Sequence, residues 1–186
     1  MDFFVARQPI LDRSRECVAY ELLFRSSADN AYSNPDPSLA TRAVIANSFM
    51  LSELKSLTDG RRAYLNVTKE ILLAGDVTLL PPDQVVIEVL ETVEPEPAVI
   101  HALHELRQAG YTIALDDFVL TEENLPLVSH AHIIKLDFLL SKPNERREML
   151  ARLAGRHLKF LAEKVEDEAM VQEAMELALI RQKKVA

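Results

Sequence analysis

Short apolar runs that each end on a carboxylate or an amide constrain this chain more than any other feature. Glu21 follows the run in AYELLFR, Asn66 closes AYLNV, Glu88 sits in VVIEVLE, and Asp116-Asp117 end TIALDDF. VVIEVLE and TIALDDF are rich enough in Val, Ile and Leu to read as buried parallel strands. A carboxylate inside such a run is costly unless something pairs with it. For any one of these acids, capping the next helix would be explanation enough. Several at equivalent ends of successive strands point instead to one shared partner, and a hard divalent cation held by oxygen ligands fits best.

The order of elements says where those strands meet. FFVARQPIL and ECVAYELLFR flank the turn-prone DRSR and read as a hairpin. Asn34-Pro35-Asp36-Pro37 breaks the chain, a helical pattern runs from Ser38 to Leu57, and Asp59-Gly60 ends it. Strands RRAYLNV, VVIEVLE, TIALDDF, HIIKLDFL and KFLAEKV then alternate with helical segments. These are TKEILLAG, PEPAVIHALHELRQAG, the weak TEENLPLVSHA interrupted by Pro126, NERREMLARLAGRH and DEAMVQEAMELALIRQKK. The last is expected to be helical throughout, with its acids first and its bases last. Strand–helix alternation with short connections gives a parallel sheet with right-handed crossovers. An open doubly wound sheet and a closed (β/α) barrel both place ligands at the carboxyl ends of strands. Polar groups contributed by many strands favour the barrel, which brings all strand ends to one centre.

Composition narrows the function. The 186 residues make one ordinary domain, residues 1–186, with 48% hydrophobic and 27% charged residues. A net charge of -8 argues against a nucleic-acid surface, which needs clustered Lys and Arg. Neither GxGxxG nor GxxxxGK[ST] occurs among four glycines, so a Gly-rich nucleotide loop is not expected. The single Cys17 suits a reducing cytosol. No apolar run reaches the roughly 20 residues that span a bilayer, and MDFFVARQPI lacks the form of a signal peptide. A cytoplasmic location without membrane or nucleic-acid partners is the expectation.

A family resemblance then emerges from motifs in a fixed order. They are Gln8-Pro9-Ile10, Glu21-Leu22-Leu23-Phe24-Arg25, Asn66, Glu88-Val89-Leu90-Glu91, Asp116-Asp117-Phe118, Lys135-Leu136-Asp137 and Ala162-Glu163-Lys164-Val165-Glu166. The series resembles the EAL domain, a modified TIM barrel that binds the bacterial second messenger cyclic di-GMP and, when intact, hydrolyses it. FVARQPILDRSRECVAYELLFR looks like the branch in which a degenerate EAL domain precedes an HDOD domain. The resemblance implies Glu21, Asn66, Glu88 and Asp116 as ligands of a first Mg²⁺ or Mn²⁺, with Asp117 beside a second. It implies Lys135 beside the attacking water, Glu163 near the second metal, and Gln8 and Arg25 on the dinucleotide.

The departures weigh against turnover. The family's Gly- and Ser-rich loop is replaced by Val119-Leu120-Thr121-Glu122-Glu123-Asn124, and Lys164 stands where a glycine is usual. The glutamine-glycine motif of the last barrel strand is absent, and a complete barrel typically takes about 250 residues. The expected fold is therefore an α/β modified TIM barrel, incomplete, lacking the last strand and leaving open edges that favour a homodimer. Two functions stay open. One is a signalling module that binds cyclic di-GMP, an HDOD domain or other signalling proteins. The other is a metal-dependent phosphodiesterase producing the linear dinucleotide. His101, His104, His130 and His132 are read as helix-face and turn residues rather than metal ligands.

Overall fold

The computed structural model describes residues 4–25, 50–177 and 180–183. Strands β1 (Phe4–Leu11) and β2 (Cys17–Arg25) form the expected hairpin, pairing antiparallel from Phe4↔Arg25 to Leu11↔Cys17. Asp12 makes the turn between them, its Oδ1 accepting hydrogen bonds from the backbone N–H groups of Ser14 (2.8 Å) and Glu16 (3.0 Å). From β2 onward the sheet is parallel, through β3 (Arg62–Val67), β4 (Val85–Val89), β5 (Thr112–Leu115), β6 (Ile133–Asp137), β7 (Lys159–Val165) and β8 (Ile180–Lys183). β8 returns to β1, and the order closes as a barrel.

Helices fill the crossovers: α1 (Met50–Leu57), α2 (Lys69–Ala74), α3 (Pro97–Gln108), α4 (Leu125–Val128), α5 (Pro143–Arg152) and α6 (Glu168–Glu176). Their ends follow local chemistry. Gly75 stops α2 at φ 73°, a conformation that costs glycine little. Asp167 caps α6 by accepting from the Met170 N–H at 2.8 Å. Pro126 starts α4 instead of interrupting it, since proline fits a first helical turn. Most of the expected helix from Ser38 lies outside the described residues.

The carboxyl-terminal part differs from expectation. α6 ends at Glu176, and Ile180–Lys183 pairs parallel with β7 and, through Gln182 and Arg181, antiparallel with Ile10 and Leu11 of β1. Without it, both neighbouring strands would present unpaired backbone groups, and satisfying them outweighs local helix propensity. Seven strands thus curl as an incomplete barrel would, and only four residues bridge the remaining gap. Where the sequence predicts no last strand, the described residues Ile180–Lys183 stand in its place, so the expected open edges are narrower than the sequence suggests.

Strand alternation sorts the side chains. One residue from each of seven strands fills the barrel floor: Ile10, Ala19, Tyr64, Val86, Ala114, Ile133 and Leu161 form a separate buried cluster. Burying each large aliphatic member contributes about 1.5–3 kcal/mol. The outward-facing residues, among them Leu65, Ile87, Ile113, Ile134 and Leu136, join the larger core beneath the helices.

Candidate metal centre at the barrel mouth

Two residues beyond each floor residue, alternation brings the chain inward again. Ala19 leads to Glu21, Tyr64 to Asn66, Val86 to Glu88, Ala114 to Asp116, Ile133 to Lys135 and Leu161 to Glu163. β1 runs the other way, so its counterpart is Gln8, two residues before Ile10 and directly opposite Glu21. The polar residues found at strand ends thus form one layer at the carboxyl-terminal face, where barrel folds place their sites.

Lys135 lies at the centre of that layer and is 1% exposed. Its Nζ is 2.6 Å from Glu88 Oε1, 2.6 Å from Asp116 Oδ1, 2.8 Å from Glu163 Oε1 and 3.7 Å from Glu21 Oε2. One ammonium therefore faces four carboxylates. Burial acts to lower the Lys135 pKa, but Glu88, Glu21, Asp116 and Glu163 hold it well above the ordinary lysine value. Glu88 is pushed well above the usual carboxylate range, by burial first and then by Glu21. Glu163 rises to about 8, mainly through burial. Tyr64, below them on the floor, rises to about 12 through burial and the charge of Glu88.

These groups suit a hard divalent cation. The Glu88 side chain is fully enclosed, and its Oε2 accepts no hydrogen bond among the described residues. A buried carboxylate oxygen left this way is costly unless a cation serves it. Asp116, Asp117 and Glu163 each offer an oxygen, all within 4.8 Å of one another. Asn66 is paired with Glu88 in the strand register and adds an amide to the same side. Oxygen-rich and low in nitrogen and sulfur, the set matches the chemistry of a hard divalent cation.

The other expected site residues divide. Asp117 follows Asp116 at φ 40°, and its carboxylate meets Lys164 instead of Lys135, with Oδ2 3.1 Å from Nζ. Gln8 stands on the layer beside Glu21. Arg25 closes β2, but its side chain lies outside the described residues. Glu96 precedes α3 and sends its carboxylate to Lys69 at 2.6 Å. His132 accepts the Ile113 N–H on Nδ1 at 3.1 Å, which fits the structural role read for it.

Two residues of the site, Asp137 and Lys164, carry no site role in the sequence reading. Asp137 ends β6, and its Oδ1 accepts from the N–H groups of Leu139 (2.7 Å) and Leu140 (2.9 Å). Its Oδ2 contacts Lys164 Nζ. Burial opposes ionisation of Asp137, but Lys164 and the two amides hold it below the usual carboxylate range. The strand-end rule that singled out Glu88 applied equally to Asp137. Lys164 had drawn notice only as a departure from glycine.

No protein-family model matches the chain. The fold is that of the EAL domains. The EAL domain of Mycobacterium smegmatis DcpA superposes with a TM-score of 0.74 at 20% identity, covering 97% of this chain and 90% of that one. Bacillus subtilis YkuI, an EAL protein in complex with cyclic di-GMP and calcium, gives a TM-score of 0.75 at 18% identity, over 96% of this chain and 53% of that one. In sequence, the chain is 41% identical over 181 residues to the uncharacterized protein YuxH of Bacillus subtilis. It is 36% identical over 168 residues to the cyclic di-GMP phosphodiesterase CdgJ of Vibrio cholerae. These matches cover 95% and 89% of this chain but only 44% and 39% of the relatives, so the chain spans less than half of either. No helix among the described residues is long and apolar enough to cross a membrane.

The raised carboxyls set a pH dependence. A group whose pKa is higher in the folded state keeps protons that the unfolded chain releases, so its stabilisation is lost as pH rises. For Glu163 that window runs from the ordinary 4.5 to about 8, and Glu88 acts in the same direction. Half-buried His130 and His132 are lowered by burial and act the opposite way around their ordinary 6.5, more weakly. The metal-free protein should therefore melt at a lower temperature at pH 8 than at pH 5.5, with added Mn²⁺ restoring part of the loss. Melting curves in a chelator check this, and a Tm that climbs across the window would contradict it.

Proposed function

We propose that the chain is a signalling module of EAL type that binds cyclic di-GMP at the mouth of its barrel, around one divalent cation, with little or no hydrolysis. The observation that carries this reading is the single polar layer in which Glu21, Asn66, Glu88, Asp116, Lys135 and Glu163 converge. Glu21, Asn66, Glu88 and Asp116 would hold the cation, with Asp117 at the edge of the set. Bound there, Mg²⁺ or Mn²⁺ would neutralise phosphodiester oxygens and lower the pKa of a coordinated water. Gln8, next to Glu21, and Arg25, at the end of β2, would contact the dinucleotide, Arg25 through a charge-assisted pair with a phosphate. Lys135 and Glu163 would place and exchange the proton of any water held above them.

CdgJ, a relative named as a cyclic di-GMP phosphodiesterase, favours a second reading in which the same groups hydrolyse the ligand. The replaced loop Val119 to Asn124 favours the module: Val119 is exposed, and the turn is held by Asn124 N–H donating to Thr121 Oγ1 at 3.2 Å. The resemblance of FVARQPILDRSRECVAYELLFR supports an HDOD domain as partner. Exposed Val119 and Leu140 near the β5 and β6 ends support self-association.

Thermal stabilisation by Mn²⁺ tests the metal centre. Glu88→Ala should abolish most of it, whereas Glu91→Ala, at an exposed position just beyond β4, should leave it intact. Equal losses in both variants would refute the assignment. Calorimetric titration with cyclic di-GMP tests the ligand, with one saturable event strengthened by Mn²⁺ expected. Absence of binding with and without the ion would overturn the reading.

A further inference from the structure

Lys164 breaks the alternation of its strand. Leu161 and Glu163 face the barrel interior, so Lys164 should face outward. Instead the register between β7 and β8 shifts between Ala162 and Val165, and Lys164 adopts φ 53° in the left-handed region. An irregularity of this kind re-aims a side chain. The side chain turns over the barrel mouth, and its Nζ reaches Asp117 Oδ2 at 3.1 Å, Asp117 Oδ1 at 3.5 Å and Asp137 Oδ2. A residue with a Cβ is held here in a conformation that glycine adopts with little cost. Asp117 is also held at positive φ, at 40°. Two unusual backbone conformations thus face each other across one ion pair. Asp137 is fixed in turn by the Leu139 and Leu140 amides.

We infer that the Lys164 ammonium is a tethered cation occupying the position beside Asp117 and Asp137 that a second divalent ion would otherwise take. The inference rests on the metal centre proposed above, which it limits to a single exchangeable ion. Charge supports the substitution: the ammonium pairs with two carboxylates that, without it, would lose this cationic partner next to Asp116 and Glu163. Geometry supports it as well. Asp117 shares an oxygen triangle with Asp116 and Glu163, so an ion entering there would compete with Lys164 for the Asp117 carboxylate. A covalently attached cation has a high effective concentration and cannot be diluted away. Unlike a metal ion, it neither acidifies a water nor bridges to a second ion.

The test is a count of bound Mn²⁺, from the loss of the free-ion electron paramagnetic resonance signal and from calorimetry. The wild-type chain should bind one Mn²⁺. Lys164→Gly, which suits the left-handed backbone, should bind two and show spin coupling between them. Lys164→Arg, which keeps the charge, should bind no more than the wild type. Two ions in the wild type, or a single ion in both the wild type and Lys164→Gly, would overturn the proposal. One ion bound by Lys164→Gly and none by the wild type would support the tethered cation while removing the Glu88 centre. No ion bound by either would remove both. Circular dichroism melts of the metal-free proteins confirm that each variant folded before it is counted.

Discussion

Replacing Lys135 with methionine should destabilise the metal-free protein by about 3–5 kcal/mol near pH 8, the range for removing one partner from a buried ion pair. Methionine approximates the lysine stem in volume, so the loss isolates charge from packing. Glu21, Glu88, Asp116 and Glu163 would then face one another without the ammonium that now lies 2.6–3.7 Å from them. The defect should shrink towards pH 5, because protonated carboxyls need no counter-charge, and Mn²⁺ should recover part of it at pH 8. Denaturant unfolding at both pH values, with and without the ion, measures each of these. A cost under about 1 kcal/mol at pH 8 would mean that Lys135 is not what neutralises the layer.

Much of that layer was legible before any coordinates, because barrel geometry and strand alternation have simple periods. Glu21, Asn66, Glu88 and Asp116 each follow apolar positions at the carboxyl end of a strand, and a parallel barrel carries all such ends to one face. The β1–β2 hairpin and the stop at Gly75 were likewise local matters of turn chemistry. What escaped depends on contacts distant in sequence. Nothing in Glu163-Lys164-Val165 shows a register shift, since the shift exists only against β8. β8 itself was hidden because ALIRQKK suits a helix in isolation, and only the needs of the β7 and β1 edges make its end a strand. Asp137 was visible as a strand-end acid, but its fixed orientation comes from the two amides of the following turn.

Turnover of cyclic di-GMP should fall at least two orders of magnitude below the roughly 1 per second that marks an ordinary enzyme. Two-ion hydrolysis holds its metals about 3.5–4 Å apart, one generating the nucleophile and the other steadying the charge that develops. Here the group beside Asp117 is an ammonium, which can compensate charge but cannot activate water. The segment from Val119 to Asn124 lacks the glycines that would let backbone fold closely around that position. Displacements of about 1 Å in such sites cost on the order of 10²-fold in rate. On the proposed reading, binding would need less: one cation and the polar layer, with Gln8 and Arg25 beside them.

Binding and hydrolysis are separated most directly by incubating the chain with cyclic di-GMP and Mn²⁺, then recovering the nucleotide and resolving it by chromatography. The predicted result is saturable binding with the recovered ligand still cyclic after many minutes. Steady accumulation of the linear dinucleotide at about 1 per second or faster would contradict the account and make the chain a working phosphodiesterase.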